Sequence, residues 1–232
     1  MELHEAPAHY FFKLWPWIEA NKIRLIWGGG IVVIAAGLIS YRSYRREQKE
    51  FDAGMALTET MMSAPRNTTI EKQAGLFLKV AGEYSGTAAS QRALLQSAAM
   101  LFEAQKYADA QAQFQQFLGQ YSGSALVAQA ALGAAACLDA QGKTDPAAAA
   151  YRQIINSYAD SPAAIYATFR LAQINEQQGK VTEALKLYEN ITRTSPNSPL
   201  GMEAGIRAME LKVQPAATAT IPTPATAPKP NP

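Results

Sequence analysis

The stretch 121–132, YSGSALVAQAAL, decides how this chain folds, because the sequence says it three times. YSGTAASQRALL begins 37 residues earlier at Tyr84, and YADSPAAIYATF begins 37 residues later at Tyr158. Just before each copy, apolar residues recur at helical spacings of three and four. They are Phe77, Val80, Ala81 and Tyr84, then Phe114, Phe117, Leu118 and Tyr121, then Tyr151, Ile154, Ile155 and Tyr158. The aromatic series Phe77, Phe114, Tyr151 and Tyr188 keeps the same period, as does the small series Ala110, Ala147 and Ala184. A period of this length is the mark of a solenoid, in which a unit buries its apolar face only against its neighbours.

Within a unit the punctuation predicts helix, tight turn, helix. Tyr84, Tyr121 and Tyr158 close the second helix. Thr87, Ser124, Ser161 and Ser198 follow at the same period and are expected to cap the first helix of the next unit. Pro162 and Pro199 come directly after two of these caps, where the missing N–H would have had no helical partner. The inner turn is marked by QGK at 141–143 and 178–180, with Gln105 and Lys106 as a glycine-less counterpart.

The unit at 165–191, IYATFRLAQINEQQGKVTEALKLYENI, resembles the tetratricopeptide repeat. Leu171 and Ala172 match its Leu–small pair, Gly179 its turn glycine, Ala184 its second-helix alanine and Tyr188 its aromatic. The units at 91–117 and 128–154 match less fully, since Ser97 and Ala134 replace the leucine. The resemblance implies an all-α fold of about 3.5–4 such repeats over residues 42–213. A degenerate first unit falls at 47–84 and a capping helix at 199–213. The Pro/Ala/Thr segment 214–232 is expected to be disordered, because it has too little apolar surface to offset its ordering entropy.

The resemblance also implies a concave groove lined by the first helices. Carried over by position, the groove is Arg92, Leu95, Ala99 and Phe102, then Gln129, Leu132, Ala136 and Asp139, then Tyr166, Phe169, Gln173 and Glu176. These residues depart from the family's carboxylate clamp, which has Lys and Asn where Leu95, Leu132, Phe169 and Ala99 stand. A mildly apolar groove for extended or helical protein segments fits them better. The competing reading packs the same residues against the C-terminal helix.

Ahead of the repeats, residues 25–41 contain no charge. As a helix they would run roughly 25 Å, just short of a hydrocarbon core of about 30 Å. Ile23 lengthens the run, so 23–41 reads as a single transmembrane helix after an N-terminal segment, 1–22. Trp15, Trp17 and Trp27 on one side and Tyr41 and Tyr44 on the other are expected at the two interfaces, with Arg42, Arg45 and Arg46 fixing the second. A cleaved signal peptide is the weaker reading, given the long leader and the basic cluster that follows. Orientation stays open. Lys13, Lys22 and Arg24 precede the helix, whereas Arg42, Arg45, Arg46 and Lys49 follow it, which tilts the body toward the cytoplasm.

Charge and composition narrow the function. The 232 residues carry 21 Lys and Arg against 19 acids. Residues 1–46 hold six of those bases and three of the acids, leaving 15 and 16 for the remainder. A neutral body without a basic stripe argues against nucleic acid. His4 and His9 both precede the apolar run, and Cys137 sits in an Ala-rich helical phrase as a small core residue. No phosphate-binding loop appears. No catalytic residue, metal ligand, cofactor or small-molecule substrate is therefore expected.

An N-terminal anchor leading through YRSYRREQ at 41–48 into such repeats resembles the ancillary subunit of the bacterial Sec translocon and the related cell-division-coordinator repeat domains. That resemblance implies a single-pass protein of the inner membrane with its repeats in the periplasm. It further implies a non-enzymatic adaptor whose partners are translocon subunits or periplasmic chaperones. The alternative is a scaffold facing the cytoplasm.

Overall fold

The structure, a computed structural model, describes residues 17, 19–63 and 68–218. Nine helices account for nearly all of them: α1 Lys22–Ser63, α2 Ile70–Glu83, α3 Ala88–Glu103, α4 Tyr107–Gln120, α5 Val127–Ala140, α6 Thr144–Ser157, α7 Pro162–Gln177, α8 Val181–Thr194 and α9 Pro199–Thr218. The chain divides into two units, Met1–Met55 and Ala56–Pro232.

In the first unit the described residues are almost all helical, and most of their large apolar side chains point outward. Ile23, Trp27, Ile31, Val33, Ile34, Leu38, Ile39, Tyr41 and Tyr44 are all exposed. Arg42, Arg45, Arg46 and Lys49 follow along one stretch of the helix with Tyr41 and Asp52. Among the described residues no helix is long and apolar enough to cross a membrane. The expected span at 23–41 includes Leu25, Ile26, Gly29 and Val32, whose side chains lie outside the described residues, as does Trp15.

The second unit is an all-helical, tetratricopeptide-like solenoid. Each helix from α2 onward packs on the next, and α3, α5, α7 and α9 also touch in a row. This is the layout that the 37-residue period predicts. Three apolar clusters follow one another along it. Phe77, Leu94, Phe114 and Phe117 anchor the first; Tyr151, Ile154, Leu171 and Ile174 the second; Phe169, Tyr188, Ile191 and Leu211 the third. The small series has a steric reason. Ala110, Ala147 and Ala184 are all fully buried, early on α4, α6 and α8, in the clusters where those helices meet their neighbours.

The turns and caps divide into those that match expectation and those that do not. Gly142 and Gly179 take the left-handed conformation, and Gln105, one period earlier, takes it as well with φ 61°. The turn geometry is thus imposed by the packing of the two helices, and Gln105 adopts it without glycine's freedom. Thr87 caps α3 by accepting from Ser90 N at 3.0 Å, and Ser198 accepts from Gly201 N at 2.9 Å. Ser161 holds the cap position of α7, but its hydroxyl donates to the Tyr158 carbonyl at 2.8 Å instead. Ser124 stands ahead of α5, which begins only at Val127, and its hydroxyl accepts from Leu126 N. At the C-terminus α9 continues through Thr218, past the expected helix end at 213, and residues 219–232 lie outside the described part.

Candidate functional site: the concave face

The row α3, α5, α7 forms the concave side, and one column of residues stands open along it. Arg92 on α3, Gln129 on α5 and Tyr166 on α7 are exposed at successive 37-residue steps. One turn further along, Leu95 and Leu132 form the floor, buried and half-buried respectively.

Two concavities follow this column. The first, about 440 Å³, is lined by Arg92, Leu95, Gln96 and Ala99 of α3, by Leu126 and Gln129, and by Leu57, Met61 and Phe77. The second, about 400 Å³, lies between the start of α5 and the start of α7, with Ala128, Gln129, Leu132, Pro162, Ala163 and Tyr166 around it. Gln129 belongs to both, so they are neighbouring parts of one strip. Its walls are largely aliphatic, with Arg92, Gln96, Gln129 and the Tyr166 phenol as polar points. Such a strip suits a peptide that offers small apolar side chains and backbone hydrogen-bonding groups.

Six of the expected groove residues, Arg92, Leu95, Ala99, Gln129, Leu132 and Tyr166, share that strip. The others are placed differently. Phe169 is buried and meets the Tyr188 ring edge-on at 5.6 Å between centroids, so it belongs to the core. Phe102 is half-buried in the first cluster, edge-on to Tyr107 at 5.2 Å. Both are corrections with one cause. A first helix has two apolar faces, one toward the groove and one toward its own second helix, and residue type does not distinguish them.

Asp139, Gln173 and Glu176 occupy the far end of the first helices, where they are tied to protein partners. Asp139 accepts from Arg170 Nη2 at 2.6 Å and from the Tyr151 hydroxyl at 3.3 Å. Gln173 accepts from Arg170 Nη1 at 2.6 Å, and Glu176 accepts from the Tyr188 hydroxyl at 2.9 Å. Burial, reinforced by the Asp139 charge, pushes the Tyr151 phenol up to about 12. Burial and then the Glu176 bond push Tyr188 upward as well. For Arg170, burial opposes the charge, but the bond and attraction to Asp139 outweigh it and the pKa is raised. The tyrosine pairs tie α5 to α6 and α7 to α8, Arg170 ties α7 to α5, and the opposite end of the strip is left open.

Sequence reasoning missed Arg170, Gln96 and Pro162. A signal for Arg170 existed: Asp139–Tyr151 and Glu176–Tyr188 are two copies of one twelve-residue spacing, which marks a repeated polar joint that a cation could complete. The C-terminal helix does not cover the strip. Among the described residues α9 packs on α8 and α7 and makes no contact with α3 or α5. Cys137 is buried, and burial pushes its thiol up to about 11, which suits an inert core residue. Among the described residues no group of three or more His, Cys, Asp or Glu is placed to hold a metal ion.

A family model for a tetratricopeptide repeat-like domain matches residues 16–147, more than half of the chain, and one for the tetratricopeptide repeat matches 140–199. The chain belongs to the tetratricopeptide repeat-like family. No curated protein matches it. Among solved structures, two forms of nearly identical TPR-like repeats from a Podosopora anserina putative kinesin light chain resemble it. One of them, a point-substituted form, has a TM-score of 0.53 at 12% identity, covering 75% of this chain and 88% of that one. The other has a TM-score of 0.52 at 12% identity, covering 75% and 89%. The MamA RS-1 ArsTM double mutant follows with a TM-score of 0.50 at 14% identity, covering 71% and 97%. Identities this low speak for the shared fold alone. Tetratricopeptide repeats are a scaffold for protein–protein interaction.

Proposed function

We propose that this protein is a membrane-anchored scaffold that holds protein partners beside a bacterial inner membrane, in protein export or envelope assembly. The observation that carries the proposal is the open strip of Arg92, Gln129 and Tyr166 over Leu95 and Leu132, which no helix among the described residues fills. The uncharged run at 25–41 supports the anchor, as do the outward-facing Trp27, Ile31, Val33, Ile34, Leu38 and Ile39 and the arginines after it. Apolar side chains exposed all round one helix have no stable place in water. The family match begins at residue 16, so it takes in both the apolar run and the repeats. By resemblance the repeats face the periplasm and meet translocon subunits or chaperones there. The scaffold does no covalent chemistry of its own, in keeping with the absence of histidine after His9.

A photo-activatable residue placed at Tyr166 in living cells tests this, with Arg152 on the exposed side of α6 as the control position. The expected result is adducts to export or envelope-assembly proteins from position 166 and none from 152. Equal labelling from both positions, or none from either, overturns the proposal. A scaffold facing the cytoplasm is the second reading, favoured by four basic residues after the apolar run against three before it.

A further inference from the structure

Helix α1 leaves its uncharged run, 25–41, with a concentrated positive face. Residues 41–49 hold four bases, Arg42, Arg45, Arg46 and Lys49, against one acid, Glu47. Steps of three, four and seven residues from Arg42 put the four on one side of the helix, whereas Glu47 falls about 140° round from Arg42. All four are exposed, and they line one concavity of about 580 Å³ along the helix together with Tyr41, Gln48 and Asp52. Among the described residues no ion pair involves Arg42, Arg45 or Arg46, while in the repeats Arg170 and Arg207 are each paired with an acid.

We propose that this face binds the phosphates of anionic phospholipids in the leaflet from which residues 42–49 emerge, a proposal that rests on the anchor at 23–41. The depth fits. Arg42 follows the apolar run directly, and Lys49 stands roughly 10 Å further along the axis. That span is close to the headgroup layer, since a bilayer of about 40–45 Å has a hydrocarbon core of about 30 Å. Long basic side chains reach that layer from slightly above or below it. The chemistry selects the ligand. A guanidinium presents a planar fork of donors that matches two phosphate oxygens, and Tyr41 and Gln48 offer neutral donors in the same concavity. A zwitterionic headgroup brings its own ammonium, which competes for the phosphate and is repelled by the face. A headgroup of net negative charge brings no such competitor. Membrane insertion does not account for the cluster either. With the repeats in the periplasm, these bases stand on the side that the positive-inside bias disfavours. The flank before the run carries no such cluster, since Lys13, Lys22 and Arg24 are spread out there with Glu19 among them.

The full-length chain in phosphatidylcholine vesicles, with a trace of spin-labelled phosphatidylglycerol or spin-labelled phosphatidylcholine, tests the proposal. Electron paramagnetic resonance then reads how much of each labelled lipid is held against the protein. At low salt phosphatidylglycerol is expected to be held about fivefold over phosphatidylcholine, the factor equivalent to ~1 kcal/mol for one charge pair at contact in water. Sodium chloride at about 1 M, where the screening length is near 3 Å, should bring the preference close to one. Arg42→Gln, Arg45→Gln, Arg46→Gln and Lys49→Gln together should abolish it with an unchanged circular dichroism spectrum. Lys22→Gln with Arg24→Gln, on the other flank, should leave it in place. Equal holding of the two lipids by the wild-type chain overturns the proposal, as does a preference that survives the fourfold variant. Loss of the preference to inorganic phosphate, at an ionic strength where sodium chloride preserves it, assigns the face to free phosphate and also overturns it. A chain stripped from the vesicles by alkaline carbonate overturns the anchor and this proposal with it, whereas a retained chain without lipid preference overturns this proposal alone.

Discussion

Replacing Gly133 by alanine should destabilise the solenoid, although helix propensity alone says the opposite. Gly133 lies within α5, where alanine is favoured over glycine by about 1 kcal/mol. A Cβ there, however, would stand 2.5 Å from Cε1 of Phe114 and 2.7 Å from its Cε2, against an ordinary carbon contact of about 3.5–4 Å. Either the ring or the helix must move by about 1 Å. Phe114 is buried in the cluster with Ala110, Phe117, Ala130 and Cys137, so the ring has little room to turn. Overpacking of this kind costs about 1–3 kcal/mol. Taking the upper part of that range and subtracting the propensity gain leaves a net loss of about 1–2 kcal/mol. Thermal unfolding should then fall by about 2–8 °C. Gly75→Ala is the matched control. It sits within α2 with nothing near its Cβ, and it should gain about 0.5–1 kcal/mol. Phe114→Leu removes the ring, and in that background Gly133→Ala should lose its penalty. Stabilisation by Gly133→Ala in the wild-type chain would refute the close approach of α4 and α5, and with it the placement of Gln129 and Leu132 on the strip.

Other expected outcomes follow from the same geometry. Gln105→Gly should stabilise the chain by about 0.5–1 kcal/mol in chemical denaturation, because the left-handed turn it occupies suits glycine; a loss would contradict the shared turn geometry. Stability should decline at high pH. Cys137 and Tyr151 both have folded pKa values above their ordinary ones, near 11 and 12, so their contribution is full below about pH 9 and is lost as the unfolded chain alone gives up protons. Tyr151→Phe should flatten the fall between pH 10 and 12, which urea midpoints taken across that range would show. Tyr166→Ala with Arg92→Glu, both at exposed positions, should leave the melting temperature within about 2 °C while weakening partner capture at least about tenfold.

The fold was readable because a solenoid repeats its constraints. The spacing of Phe77, Phe114, Tyr151 and Tyr188 and the alanines that accompany them predicts both the helices and their pairing, as cavities between stacked helices must be filled the same way each time. The site was only partly readable. Arg92, Gln129 and Tyr166 face outward, as the register predicts. Phe169 does not, because one period carries a leucine at the groove floor and the next carries an aromatic that leans into Tyr188. Asp139 and Glu176 look like free groove acids in the sequence. Only the packing of α6 and α8 shows that their carboxylates answer tyrosine hydroxyls. The exposed stripe of Met202, Ile206, Met209 and Val213 on α9 was hidden for the opposite reason. Its residues look like an ordinary core face until the structure shows that nothing among the described residues covers them.

The most direct measurement is protease digestion of cells whose outer barrier has been opened while the inner membrane stays intact, probing residues 47–232 with lysed cells as the control. Membrane-retained chains whose repeats are digested before lysis are the predicted result for a scaffold anchored by residues 23–41 and facing the periplasm. Protection of the repeats until lysis would contradict it and favour the cytoplasm-facing scaffold.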